Sequence, residues 1–481
     1  MRIFTPIISK QITRGAKALT IITSLLLFGW QLGHAQTTFT QSNLNLGPGS
    51  VDLSTYLQFG PDGRLYVAEL YGRIKIYTIT KDGPNNYRVT NEETLLDVYT
   101  IPNHDDDGDF NPKDERQVTS LVVGGTASNP VIYVASSDPW SGGPGGDINK
   151  DTNSGIITRL TWTGSSWSVM DLVRGLPASE ENHASHGLEL ATINGTNYLL
   201  LCSGGQTNAG SPSQNFAWTT EYALSAAILA INLDQIDGMS TKTDGSRSYK
   251  YTLPTVDDPT RPNVNGIVDP NQAGYDGIDV GDPWGGNDGL NQAKLVPGGP
   301  VQILSPGYRN SYDLVVTESG ALYVTDNGAN AGWGGFPENE GVGGNATNNY
   351  RVGEPGSSTA DGGEGPIVNQ DHLTLITNNL QSYTFGSFYG GHPNPIRSNP
   401  SGAGLFTKGS HSSDPGDSNG NSYTDDWFRN SILNVNDPNF STRSLPVDWP
   451  PVPVSEANPV EGDYRLTGAA NPDGPSDELV W

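Results

Sequence analysis

Four times along the chain a short apolar strand, a tight turn and a second apolar strand follow one another in the same order. The first copy runs Leu57-Gln58-Phe59-Gly60-Pro61-Asp62-Gly63-Arg64-Leu65-Tyr66-Val67 and continues into Gly72-Arg73-Ile74-Lys75-Ile76-Tyr77. The second holds Thr119–Val123, Val131–Val134 and Ile156–Leu160; the third holds Gly187–Leu190, Tyr198–Leu201 and Ala227–Ile231; the fourth holds Tyr312–Val316 and Gly320–Thr325. With Tyr66, Tyr133, Leu199 and Tyr323 taken as equivalent, the steps are 67, 66 and 124 residues. Two near-equal steps and one of roughly double length describe a repeat broken by an insertion. A period in the sixties with three or four strands per unit points to a β-propeller, whose units are buried by stacking on their neighbours. A β-sandwich with accidental hairpin similarity is the alternative.

Composition supports the all-β reading. With 60 Gly and 34 Pro, about a fifth of the chain is backbone punctuation that long helices do not tolerate. Ten Trp, 20 Tyr and 12 Phe exclude a disordered chain. Residues 36–481 read as one propeller domain, with loop insertions at about 235–299, 334–365 and 398–425, where Asp, Gly, Pro and Asn replace strand alternation. After Pro450-Pro451-Val452-Pro453 the chain turns polar and stops at Trp481 without a closing strand, so the propeller is expected to be incomplete at its C-terminus.

The balance of 26 Lys+Arg against 52 Asp+Glu gives a net charge of −26, which repels nucleic acid and anionic membranes and attracts cations. The N-terminus departs from that bias. Arg2, Lys10, Arg14 and Lys17 precede an apolar run from Ala18 to Leu32 and then Gly33-His34-Ala35-Gln36. This reads as a signal peptide over residues 1–35, cleaved near Ala35-Gln36, with an uncleaved anchor as the other reading. The mature chain is then expected to be secreted, periplasmic or at the cell surface. No later segment approaches the roughly 20 apolar residues of a spanning helix. Cys202 is the sole cysteine, so no internal disulfide can form.

Candidate chemistry gathers where inner strands begin. His183 and His186 stand in Glu180-Glu181-Asn182-His183-Ala184-Ser185-His186-Gly187-Leu188, just before the first strand of the third unit. A histidine there can serve as a general base near neutral pH; a loop-capping role and a metal-chelating pair are the alternatives. The corresponding places in the second and fourth units carry Arg116-Gln117 and Tyr308-Arg309-Asn310. Gln117, His183, Arg309 and Asn310 would thus converge at one end, as donors around one base.

Calcium has its own pattern. Asn103, Asp105, Asp107, Gly108, Asp109, Asn111 and Asp114 follow the ligand spacing of a calcium loop, although Pro112 disfavours a following helix. Asp147, Asn149 and Asp151 alternate oxygen ligands in the same way, and Asp414, Asp417, Asn419, Asn421 and Asp425 form a looser cluster. Solvated acidic turns are the plain reading of all three.

Together the 59–67 hairpin, Asn182-His183 with Gly187-Leu188, Tyr308-Arg309-Asn310, Tyr323-Val324-Thr325-Asp326-Asn327-Gly328 and Tyr389-Gly390-Gly391-His392-Pro393 resemble the soluble quinoprotein glucose/sorbosone dehydrogenase family over roughly residues 45–395. The resemblance implies a six-bladed β-propeller that binds pyrroloquinoline quinone (PQQ) and calcium over its central channel. It also implies oxidation of a sugar or other alcohol, with His183 as the base. Gln117, Arg309 and Asn310 would contact the cofactor, and backbone carbonyls near Gly328 and Ala329 would bind calcium. The chain departs from the family at Asn182, where an acidic residue often orients the histidine, and at Ser185 and His186, where glycines are common. Ala329 stands in place of a proline, and the late basic residues that clamp the quinone are not found before Trp481. Two other readings remain open: a non-catalytic calcium-stabilised propeller that binds extracellular carbohydrate or protein, and a calcium-dependent lactonase or hydrolase.

Overall fold

A computed structural model describes residues 41–47, 49–104, 110–111, 115–139, 151–208, 216, 221, 224–255, 263–267, 272–274, 284, 293, 295–328, 330 and 371–392. The chain divides into two units. The smaller comprises residues 1–47 and 80–89, in which β1 (Leu44–Asn45) lies parallel to Tyr87 and Arg88. The larger holds four β-sheets arranged as propeller blades.

The first blade is built from β2 (Ser54–Phe59), β3 (Leu65–Glu69), β4 (Ile74–Gly83) and β5 (Asn86–Leu95), joined as a meander. The β2–β3 turn follows directly from its sequence. Gly63 takes a φ of 76°, which a side chain resists, and the Arg64 carbonyl accepts the Gly60 N–H at 2.9 Å. Asp62 accepts from the Tyr66 hydroxyl at 2.9 Å and pairs with Arg64, so the turn closes on its own side chains.

A two-stranded ribbon, β6 (Asn103–His104) and β7 (Phe110–Asn111), precedes the second blade. That blade consists of β8 (Gln117–Gly125), β9 (Pro130–Ser137), β10 (Gly155–Trp162) and β11 (Trp167–Leu176). The third begins with β12 (Ser185–Ile193), β13 (Thr196–Ser203) and β14 (Ala227–Asn232). A six-residue helix, α1 (Leu233–Gly238), follows, capped by the Asn232 side chain accepting from the Gln235 N–H at 2.9 Å. Then come β15 (Lys242–Asp244) and β16 (Arg247–Thr252), and β17 (Val301–Pro306) returns to complete the third blade beside β14. The fourth has β18 (Ser311–Val316), β19 (Leu322–Asp326) and β20 (His372–Thr377).

The doubled step in the repeat now has its explanation. Residues 233–300 are inserted between the third and fourth strands of the third blade. Part of that stretch, expected as a loop, forms β15 and β16, and β16 runs parallel along β11 at the edge of the second blade. Arg247 holds it there. Its guanidinium donates to both oxygens of buried Asp171, at 2.8 and 2.6 Å, and that carboxylate also accepts from Thr158 at 2.9 Å.

Burial alternates between blades. Ile132 and Val134 of β9 pack with Tyr66, Ile74 and Ile76 of the first blade. Ala135 packs the other way, with Leu199 and Leu201 of β13. Leu200 and Cys202 face Leu314, Leu322 and Val324 of the fourth blade. Each central sheet is therefore covered on both faces, which is why Tyr198–Cys202 reads as an unbroken apolar run. Burial pushes the Cys202 thiol up, well away from a reactive thiolate.

One irregularity repeats in every blade. The register between the innermost strand and its neighbour shifts just after the strand begins: at Ser54/Tyr56, Val118/Ser120, Ser185/Leu188 and Ser311/Asp313. Such bulges bend a strand end and re-aim its side chains. All four lie at the same end, where the sequence places its candidate site. Among the described residues no helix is long and apolar enough to cross a membrane.

Candidate active site

His183 lies at the end of the turn that feeds β12. Ser179 organises this turn: its hydroxyl accepts the N–H groups of Glu181 (3.2 Å) and His183 (3.0 Å), and its own N–H donates to the His183 carbonyl at 2.7 Å. The imidazole is buried, 2% exposed, and packs on the Phe216 ring at 5.0 Å between centroids. Its Nδ1 lies 3.0 Å from the Gly205 carbonyl oxygen. A carbonyl can only accept, so Nδ1 carries the proton and Nε2 keeps its lone pair. Nε2 has no hydrogen-bond partner among the described residues. Burial first, and then the Arg309 charge, hold the imidazole's pKa well below its ordinary value, so the ring is neutral at physiological pH.

His186 takes the opposite role. Its Nε2 accepts the Ala184 N–H at 3.1 Å, which leaves Nδ1 to donate to Thr119 Oγ1 at 2.9 Å. Nδ1 thus ties the third blade to the second, while Nε2 closes the local turn that leads into β12. The two histidines therefore do not form a chelating pair, and His186 serves packing.

Arg309 and Asn310 precede β18, and Asp326 at the end of β19 accepts both of their backbone N–H groups, at 3.2 and 2.8 Å. Arg309 is 4% exposed; its Nε donates to the carbonyl and side-chain oxygens of Asn208, each at 3.0 Å. Burial lowers its pKa, while Asp326, Glu181, Glu221 and Asp371 act against that. Two buried polar atoms here lack partners among the described residues: Arg309 Nη2, a donor, and Asn310 Oδ1, an acceptor. A Cβ added at Gly204 would stand 2.8 Å from both His183 Cβ and Asn310 Oδ1, which puts base and amide side by side.

The remaining expected residues are distributed differently. Gln117 begins β8, opposite Ser137, and its half-buried side chain makes no hydrogen bond among the described residues. Its neighbour Arg116 is fully buried, donating to Asn103 Oδ1 at 2.6 Å and to the Ser154 carbonyl at 2.5 Å. Burial brings the Arg116 pKa down to about 10, with Asp138 and Asp151 opposing. Asn103 and Asp151, two expected calcium ligands, thus flank a buried cation, and Asp151 Oδ1 also accepts the Asn153 N–H at 2.8 Å. The Gly328 N–H donates to Asp371 Oδ1 at 3.0 Å. Asp105, Asp107, Asp109, Asp114, Asp147, Asn149, Ala329 and the 414–425 cluster lie outside the described residues. Among the described residues no three His, Cys, Asp or Glu side chains group to hold a metal.

Sequence reasoning missed Glu221 and the contact His392 makes with it. The Glu221 carboxylate accepts the N–H groups of Gln206 (2.8 Å) and Thr207 (3.0 Å) and the hydroxyls of Thr207 (2.6 Å) and Ser225 (2.7 Å). His392 Nε2 lies 2.8 Å from Oε1, both side chains being nearly covered. The Glu221 pKa is lowered: His392 and these hydrogen bonds outweigh burial, the largest single influence, which acts to raise it. The only local signal was Gly204-Gly205 at a strand end, where glycines permit close backbone approach.

No family model matches this sequence, and no curated protein matches it. Among solved structures, it is similar to the PQQ-bound aldose sugar dehydrogenase of Streptomyces coelicolor: 16% identity over 62% of this chain and 66% of that one, TM-score 0.29. It is also similar to the holo pyranose dehydrogenase PQQ domain of Coprinopsis cinerea: 13% identity over 72% of this chain and 55% of that one, TM-score 0.34. A calcium structure of a Trichoderma reesei carbohydrate-active enzyme of family AA12 is similar at 13% identity, over 68% of this chain and 84% of that one, TM-score 0.27. The chain spans less than two thirds of the length of the first two. At TM-scores this low the likenesses carry no weight, and the blade arrangement rests on strand pairing.

Proposed function

We propose that this chain is an exported quinoprotein-type oxidoreductase, a six-bladed propeller that binds PQQ and calcium and oxidises a sugar or other alcohol. One observation carries the reading. A buried, neutral histidine with Nδ1–H fixed on a carbonyl sits beside the Asn310 amide oxygen and in the field of Arg309, and among the described residues its Nε2, Asn310 Oδ1 and Arg309 Nη2 make no hydrogen bond. Buried polar atoms without partners also occur elsewhere among the described residues, at Arg116 Nε, Arg174 Nε and Trp284 Nε1; what supports the reading here is their combination with a poised base.

The donor set fits an anionic, oxygen-rich cofactor. Arg309 Nη2 would hold an oxygen carrying negative charge, Asn310 Oδ1 would accept from a ring N–H, and Gln117 would contact the group from β8. When bound, PQQ supplies the hydride acceptor that no side chain here provides, with calcium as Lewis acid. The chain's own part is acid–base work. His183 Nε2 takes the hydroxyl proton of the substrate, and the Gly205 carbonyl steadies the resulting imidazolium through Nδ1–H. Arg309 opposes a second positive charge, so the proton is held weakly and released to solvent after turnover. Phe216 covers the ring and limits competing water.

The test is dye reduction by the purified chain with PQQ, calcium and a panel of aldoses. The expected result is turnover that His183→Ala lowers by about 10²-fold or more. Absence of PQQ binding, with His183→Ala changing nothing, would overturn the reading; calcium-dependent sugar binding without dye reduction would favour the non-catalytic alternative.

A further inference from the structure

The Gly205–Gln206 peptide group is held at both ends by ionisable side chains. Its carbonyl accepts Nδ1–H of His183 at 3.0 Å, and its N–H donates to Glu221 Oε2 at 2.8 Å. We infer that Glu221, braced by His392, is the positioning residue for His183 and acts on it through this single peptide group. The inference rests on the reading of His183 as a base.

The physics is that of a polarised hydrogen-bond chain. A carboxylate accepting from a peptide N–H draws positive charge to that end of the amide and leaves more negative charge on its oxygen. That oxygen then accepts more strongly from Nδ1–H, which fixes the tautomer, orients the ring and makes Nε2 more basic. Asn182, the neighbour in sequence, is exposed, and its backbone N–H donates to Glu181 Oε2 at 2.8 Å.

Placement of the carboxylate is over-determined. Thr207 N–H and Oγ1, Ser225 Oγ and His392 Nε2 all bind it, at 2.6–3.0 Å. His392 is itself tethered by its N–H on the Gly307 carbonyl at 3.0 Å. On the other side the Gly205 N–H donates to the Arg309 carbonyl at 2.8 Å, so the same loop sets the base against the cofactor-side guanidinium. The space leaves no slack: a Cβ at Gly205 would stand 2.8 Å from the Arg309 carbonyl oxygen and 2.9 Å from Glu221 Oε1. The charged and titratable groups facing His183 are Arg309, His186 and His392, all of which oppose its protonation; Glu221 is linked to it through the hydrogen-bonded Gly205–Gln206 peptide.

The experiment is ¹H–¹⁵N spectroscopy of the full chain labelled at histidine and glutamine, with Glu221→Gln as the variant. In the parent, His183 is expected in the Nδ1–H tautomer, and the Gln206 amide resonance should move with the His183 titration midpoint. In the folded variant the Nδ1–H tautomer should lose dominance and the midpoint fall, because a carboxamide replaces the charged acceptor. A folded variant with unchanged tautomer and midpoint would overturn the inference. Should the variant not fold, the parent decides: a Gln206 amide that ignores His183 titration is equally fatal, and one that follows it supports the chain. With PQQ and calcium present, the variant should lower kcat about tenfold, leave the sugar KM unchanged, and shift the rising limb of the pH profile to lower pH. A parent without dye reduction would sink the dehydrogenase reading and leave the spectroscopic result standing.

Discussion

At the scale of single residues, two glycines do what no other side chain would allow. Gly204 and Gly205 follow β13 directly, where His183, Asn310, the Arg309 carbonyl and the Glu221 carboxylate all come within contact of where a Cβ would be. The Arg309 carbonyl belongs to a buried backbone and cannot step aside. Gly205→Ala is therefore expected to cost about 1–3 kcal/mol, read as a fall in Tm, because overpacking must be relieved by moving the loop. It should also free the His183 tautomer, whereas Gly195→Ala, with open space around it but a φ of 84°, should change Tm without touching His183. Equal effects of both substitutions on His183 would refute the crowding argument.

Among elements, the β15–β16 addition shows how a polar interaction fixes a segment that hydrophobic pattern leaves ambiguous. The β16 side chains are all only half-buried, so burial alone gives weak register. Arg247 supplies what is missing by closing on Asp171, which is 1% exposed, and by donating to the Asp97 carbonyl at 2.9 Å. Arg247→Ala leaves a buried carboxylate with Thr158 as its sole hydrogen-bond partner among the described residues and is expected to destabilise by about 3–5 kcal/mol in denaturant melts. Converting Asp171 to Asn in that background should recover part of the loss; no recovery would mean that the cost lies elsewhere.

For the whole molecule, the innermost strands of three blades bring ionisable groups together. Glu189 of β12 is pushed up to about 7, by burial and then by Asp313 of β18, and burial, Asp313 and Glu189 push Tyr56 of β2 up to about 12. The sign follows from linkage. In the unfolded chain Glu189 ionises near its ordinary value, so stability falls as pH rises from about 4.5 to 7, and the loss is complete above that window. Glu189→Gln should therefore raise stability at pH 8, by on the order of 1 kcal/mol after allowance for the part of the carboxylate open to water, and give no gain at pH 4. An equal gain at both pH values would assign the effect to packing.

The strands and hairpins were legible in the chain because their signals are short-range. Pro61-Asp62-Gly63 makes its turn with its own atoms, and the apolar runs at 131–134 and 198–201 declare two-sided burial. His183 and Arg309-Asn310 were legible as positions, since each precedes an inner strand of the repeat. Their chemistry was not. Nothing local separates His183, whose Nε2 has no partner among the described residues, from His186, whose two nitrogens are both bound. Arg116, adjacent to the expected Gln117, turned out to be a buried structural cation.

The sequence by itself thus determined the repeating all-β architecture, the acidic character and the ends of strands where a site could form. Only the tertiary structure decided which histidine is poised, because that depends on loops closing 22 residues apart to Gly205 and on Glu221 meeting His392 across 171 residues. Turn and strand propensities act within a few residues, whereas a hydrogen-bond chain needs angstrom-scale placement of distant groups. That placement is supplied when the blades stack and the loops at their shared end have nowhere else to go.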